Sequence, residues 1–94
     1  MCGFVGIIDK KKNRDYTSAI NLMIDRIKHR GPDEQKVSID KERGIYLGFC
    51  RLAMIDIQGS AQPAYSHNND VVIMCNGEIY NYIQLRLDLE KQGY

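Results

Sequence analysis

Apolar and polar positions along this chain change period several times. Residues 4–8, Phe-Val-Gly-Ile-Ile, form a short apolar run that stops at Asp9 and gives way to a polar stretch through Arg14. That is the pattern of a strand followed by a loop. Between residues 16 and 29, Ile20, Met23, Ile24 and Ile27 recur at three- and four-residue spacing, with Asp15 ahead as an N-cap and Gly31-Pro32 behind as a stop. The spacing predicts an amphipathic helix. Residues 36–40 and 45–50 predict two strands joined by Lys41-Glu42-Arg43-Gly44, a hairpin with Gly44 in the left-handed position. A further apolar run, residues 71–75, follows the turn-forming His67-Asn68-Asn69-Asp70 and predicts another strand. The last segment predicts a helix: Asn81 with Gln84 resembles a capping box, Ile79, Ile83 and Leu87 keep four-residue spacing, and Gly93 suits the position after the last turn.

The order strand, helix, three strands, helix has no repeats or low-complexity linkers and fits one α+β unit within 94 residues. Four strands and two helices leave one sheet face poorly covered, so the expectation is a piece of a larger domain. Hydrophobic content of 44% and charged content of 27% exclude the disordered class. A net charge of +1, with one short basic run from Lys10 to Lys12, gives no footprint for nucleic acid or an anionic membrane. The run at 4–8 is too short to span a bilayer and has no positive segment ahead of it, so the expected location is the cytoplasm.

Cysteine changes the picture. Cys2, Cys50 and Cys75 are odd in number and lack Cys-x-x-Cys spacing, which argues against a disulfide framework. A small metal-binding protein using them and a histidine is disfavoured, because no ligand pair has the spacing of a zinc site. Cys50 and Cys75 each end an apolar run and are expected to be buried. Cys2 stands directly behind Met1. If Met1 is removed, Cys2 carries a thiol and a free α-amine on one carbon, a nucleophile with its own base.

Four segments fall at strand ends or turns, where functional groups are commonly placed. They are Cys2-Gly3, the turn 29–34 (His-Arg-Gly-Pro-Asp-Glu), the strand exit 50–56, and Asn76-Gly77-Glu78 leading into the last helix. Each has a plain structural explanation by itself: a buried cysteine, a helix-ending basic residue at His29, a salt-bridging Arg51, and a simple Asn-Gly turn.

Their combination carries more. MCGFVGI, HRGPDE, RLAMID, QPAYS and NGEIYNY, in that order across nearly the whole chain, resemble the glutaminase domain of asparagine synthetases, class II glutamine amidotransferases among the N-terminal-nucleophile hydrolases. HRGPDE with NGEIYN distinguishes that branch from sister amidotransferases with other nitrogen acceptors. The resemblance implies a fold that is the N-terminal half of a four-layer αββα sandwich, with residues 1–94 as a partial glutaminase domain truncated on its C-terminal side. It implies catalytic roles for Cys2 as nucleophile and for the Asn76 side-chain amide and Gly77 backbone N–H as oxyanion donors. Arg51 would hold the α-carboxylate of glutamine, Glu78 its α-ammonium, and Leu52, Ala53, Met54 and Ile55 would line the pocket. Beyond this C-terminus the family carries a Ser-Asp element whose aspartate also holds the substrate amine.

The resemblance implies L-glutamine as substrate and no cofactor or metal in this domain. ATP and magnesium belong to a synthetase domain of the same full-length chain, which would receive the ammonia and amidate aspartate. A homo-oligomer is expected. Two alternatives stand beside this reading: a non-catalytic truncated module serving folding or partner contact, and the glutaminase domain of a related amidotransferase with another acceptor.

Overall fold

The computed structural model describes residues 1–53 and 61–94. The strands β1 (Gly3–Ile8), β2 (Glu34–Asp40) and β3 (Ile45–Arg51) form one antiparallel sheet in the order β1-β3-β2. Its middle strand is the most buried of the three. Tyr46, Phe49 and Cys50 of β3 belong to the core, and Arg51 at its end is buried with them. The helix α1 (Thr17–Ile27) and a following 3₁₀ turn (Lys28–Arg30) join β1 to β2.

Packing of α1 on one sheet face explains its apolar spacing. Ile20 and Ile24 are buried, and Ile24 lies directly over Gly48, where any β-carbon would collide with it. Tyr46 meets Tyr16 edge to face, with ring centroids 5.7 Å apart, and its hydroxyl donates to the Arg14 carbonyl at 3.3 Å. The N-cap is Tyr16 rather than the expected Asp15, and no side chain caps the helix; one residue earlier the Asp15 carboxylate accepts from the Thr17 backbone N–H at 2.9 Å and from the Lys41 ammonium at 2.9 Å. The helix stops two residues short of the expected end, the 3₁₀ turn taking its place. Gly44 has φ +70 and closes the β2–β3 hairpin, as its position in the turn requires.

The remaining chain departs further from expectation. The strands β4 (Ala64–Tyr65) and β5 (Val72–Ile73) make a separate two-stranded ribbon, and the Tyr65 hydroxyl is hydrogen-bonded to that of Ser38 on β2. Of the run expected at 71–75 only two residues are strand, and Cys75 is exposed rather than buried. The reason is a side-chain contact: Gln62 donates to the Cys75 carbonyl at 3.1 Å and accepts from its N–H at 2.6 Å, so a side chain occupies the groups a strand partner would pair. The helix α2 (Tyr82–Lys91) buries no residue, and Ile83 and Leu87 remain 62% and 48% exposed. No capping box forms, because the Gln84 amide donates to Asp88 at 3.0 Å instead. The end does match. Gly93 N–H donates to the Glu90 carbonyl and Tyr94 N–H to that of Leu89, both at 3.1 Å, the paired bonds of a Schellman motif.

Candidate active site

Strand register assembles the site. Gly3 of β1 faces Cys50 of β3, so the same register carried on by one residue sets Cys2 opposite Arg51. Glu34, the first residue of β2, pairs with Arg51 from the other side. Because side chains alternate along strands, Arg51 and Glu34 share one end of the sheet on the face away from α1, and Cys2, just ahead of β1, reaches the same strand end at Leu52.

Cys2 is half-buried. Its sulfur lies against the Leu52 peptide, with the Leu52 N–H donating to Sγ at 3.4 Å and Sγ lying 3.7 Å from the Leu52 carbonyl oxygen. Its carbonyl accepts from Arg30 Nε at 3.3 Å. Beneath it Cys50, fully buried, directs its thiol at the carbonyls of Gly3 and Ile27, at 3.4 and 3.3 Å. That arrangement makes Cys50 a structural residue. A β-carbon on Gly3 would sit within 3.2 Å of Arg30 Cδ and Cys50 Sγ, so glycine lets the N-terminal segment settle this deeply.

Arg51 is only 7% exposed, and a guanidinium so enclosed must meet compensating groups. Among its interactions is the Glu34 carboxylate, 3.7 Å from Nη1. Glu34 is held below the usual carboxylate range, first by its hydrogen bond from Lys36 and then, more weakly, by Arg51. The turn before β2 is joined to the exit of β3 at three points. Pro32 bridges to Arg51, the Asp33 N–H donates to the Arg51 carbonyl at 3.1 Å, and the Ala53 N–H donates to the Asp33 carboxylate at 2.7 Å.

Of the residues expected at the site, the structure brings together Cys2, Arg51, Leu52 and Ala53. Met54 and Ile55 lie outside the described residues. Asn76, Gly77 and Glu78 occupy an exposed turn between β5 and α2. Among the described residues their side chains have no hydrogen bond or ion pair to Cys2 or Arg51. The turn 29–34 was singled out without a role for any of its residues, and the structure brings its Arg30, Asp33 and Glu34 to the site. Their signal was present, since four charged or polar residues crowd the six positions from 29 to 34, but nothing local shows that they meet residues 2 and 51–53. Among the described residues no group of three or more His, Cys, Asp or Glu side chains gathers to hold a metal, and no helix is long and apolar enough to cross a membrane.

A half-buried thiol beside an enclosed guanidinium can attack a carboxamide while its neighbour orients a carboxylate. The family model described as the glutamine amidotransferase domain matches residues 1–94. The chain belongs to this family. It is 42% identical over 97 residues to asparagine synthetase (glutamine-hydrolyzing) 1 of Bacillus subtilis (strain 168), covering 100% of this chain and 15% of that protein. It is 35% identical over 98 residues to a probable asparagine synthetase (glutamine-hydrolyzing) of Acanthamoeba polyphaga mimivirus, covering 99% of this chain and 18% of that one. A putative asparagine synthetase (glutamine-hydrolyzing) 2 of Methanocaldococcus jannaschii is 36% identical over 103 residues, with 92% and 20% covered. This amidotransferase chain thus spans no more than about a fifth of the curated relatives it matches. No solved structure matches it.

Proposed function

We propose that this chain is the N-terminal part of a glutaminase domain that hydrolyses glutamine to glutamate and ammonia, with Cys2 as nucleophile once Met1 is removed. The observation that carries the proposal is the contact of the Cys2 sulfur with the Leu52 peptide, next in sequence to the enclosed Arg51. The Cys2 sulfur attacks the side-chain amide carbon of glutamine. The α-amine on the same residue takes the thiol proton and returns it to the departing ammonia. Water then cleaves the thioester, releasing glutamate and restoring the thiol. Arg51 holds the α-carboxylate as a planar fork, Glu78 the α-ammonium, and the Asn76 amide with the Gly77 N–H receives the oxyanion. Leu52, Ala53, Met54 and Ile55 line the pocket.

In the longer protein the remainder of the domain completes a four-layer αββα sandwich. A synthetase domain using ATP and magnesium then transfers the ammonia to aspartate, and no residue of this chain is assigned to ATP or the metal. The family match and the names of the relatives support this reading. The exposed position of residues 76–78, apart from Cys2, favours the alternative of a non-catalytic module.

A glutamine analogue carrying a diazo-ketone separates the two. It should label the full-length, Met1-processed protein once, at Cys2, and Cys2→Ala should abolish glutamine hydrolysis while ammonia-dependent synthesis survives. Labelling at Cys75 or Cys50, or equal loss of both activities, would overturn the assignment.

A further inference from the structure

One residue holds the Leu52 peptide from both sides. The Asp33 N–H donates to the Arg51 carbonyl at 3.1 Å, and the Asp33 carboxylate accepts from the Ala53 N–H at 2.7 Å. Between these anchors the Leu52 N–H donates to Cys2 Sγ at 3.4 Å, and the thiol in turn donates to the Leu52 carbonyl at a longer 3.7 Å. We infer that Asp33 is a positioning residue for the nucleophile: it fixes the Leu52 peptide against the Cys2 sulfur, so that the Leu52 N–H meets the negative charge the sulfur carries as it reacts.

The inference deepens the proposed role of Cys2 and rests on it. A backbone N–H can only donate. Toward a neutral thiol it makes a weak bond, whereas toward a negative sulfur the bond is charge-assisted, so it stabilises the charged form selectively. Left to itself, a peptide just past a strand end would rotate, because the ladder no longer constrains it. The two Asp33 bonds remove that freedom on either side of Leu52. Other charges also face the sulfur's surroundings: Arg30 on the Cys2 carbonyl, Arg51 and Glu34 at the same strand end, and the Asp33 carboxylate itself. None of them supplies the directed donor. Asp33 carries a negative charge, which by itself would disfavour a thiolate, so its two possible influences have opposite signs and can be separated.

The test is the rate of iodoacetamide alkylation at Cys2, read by peptide mapping near neutral pH in the full chain, with exposed Cys75 as internal reference. Asp33→Ala should slow Cys2 labelling about tenfold relative to Cys75, a loss within the range of one hydrogen bond to a charged group. Asp33→Asn, which keeps an acceptor for the Ala53 N–H, should stay within about threefold of the parent by the same reasoning. Replacing the Leu52 amide by an ester in a chemically ligated chain removes the donor alone and should match Asp33→Ala. Charge removal or loosening of the turn would each speed labelling, so a faster or unchanged rate in Asp33→Ala overturns the inference, as does an Asn variant as slow as Ala. Should Asp33→Ala fail to fold, the ester decides: slower labelling supports the inference and an unchanged rate overturns it. Alkylation needs no glutamine. If these rates shift while glutamine is not hydrolysed, the proposed function fails and the positioning role stands.

Discussion

Gly31 lies flat against the peptide that joins Cys50 to Arg51: a β-carbon on it would come within 2.5 Å of the Arg51 nitrogen and of the Cys50 carbonyl carbon. Those are backbone atoms of the central strand and cannot give way as a flexible side chain would. Gly31→Ala should therefore destabilise the fold by about 1–3 kcal/mol, the usual range for forcing extra volume into packed structure. In the full-length enzyme it should also raise KM for glutamine, because the displaced segment carries Arg51. Urea unfolding and steady-state kinetics check the two parts. A variant as stable as the parent would show that the turn and the strand exit are not in close contact.

Asp15 gives the fold an acid-sensitive tie between the start of α1 and the β2–β3 hairpin. Its carboxyl is held well below the usual range, first by the Thr17 hydroxyl and then by the Lys41 ammonium. The folded chain thus keeps Asp15 ionised at acidities where the unfolded chain has protonated it. Its contribution is complete above the ordinary value of 3.8 and fades as pH falls through the depressed folded value. Asp15→Asn should flatten the acid limb of a plot of melting temperature against pH, leaving its shape near neutrality unchanged. The group is exposed, so the effect is small. Parallel acid limbs for the two proteins would remove Asp15 from this role.

How much of this was legible in the sequence differs between the two halves. β1, α1 and the β2–β3 hairpin follow the apolar spacing closely, because each buries one face on its neighbours and Gly44 marks the turn. The spacing in Ile79, Ile83 and Leu87 says only that one helix face suits burial, and among the described residues nothing buries it, the three remaining exposed. The run at 71–75 failed as a strand because Gln62 takes the backbone groups of Cys75, a contact between residues far apart in the sequence. At the site, Cys2 and Arg51 were recognisable as residue types suited to the chemistry, but their adjacency is a property of strand register. The segment holding Asp33 stood out in the sequence, but its bonds did not, since the partners lie well downstream in Arg51 and Ala53.

Uncovered apolar surface on α2 and on β1 should have a visible consequence for the 94-residue chain. Phe4 and Ile8 are 50% and 70% exposed on β1, and Ile83, Leu85, Leu87 and Leu89 are exposed on α2. Such surface drives association when nothing else covers it. Light scattering should find oligomers whose size grows with concentration, and Ile83→Lys with Leu87→Lys should shift them toward monomer. A monodisperse monomer at high concentration would show that these faces do not associate.

The kinetic signatures of Arg51 and Asn76 distinguish binding from catalysis in the proposed reaction. A carboxylate clamp acts on a part of glutamine remote from the reacting carbon, so it contributes equally to the bound substrate and to the transition state. Losing it raises KM with little change in kcat. An oxyanion donor acts only as charge develops, so its loss lowers kcat, typically by about 10²–10³. In the full-length, Met1-processed enzyme Arg51→Lys should accordingly show a raised KM, since lysine supplies charge but not the planar fork that Arg51 holds at the end of β3. Asn76→Ala should show a lowered kcat with KM nearly constant. Asn76 sits in an exposed turn of this chain, so this second result also requires the turn to reach Cys2 when the rest of the protein and the substrate are present. An Asn76→Ala enzyme with unchanged kcat would mean that it does not, and the oxyanion would then need another donor, for which the Leu52 N–H already directed at Cys2 would be the first candidate.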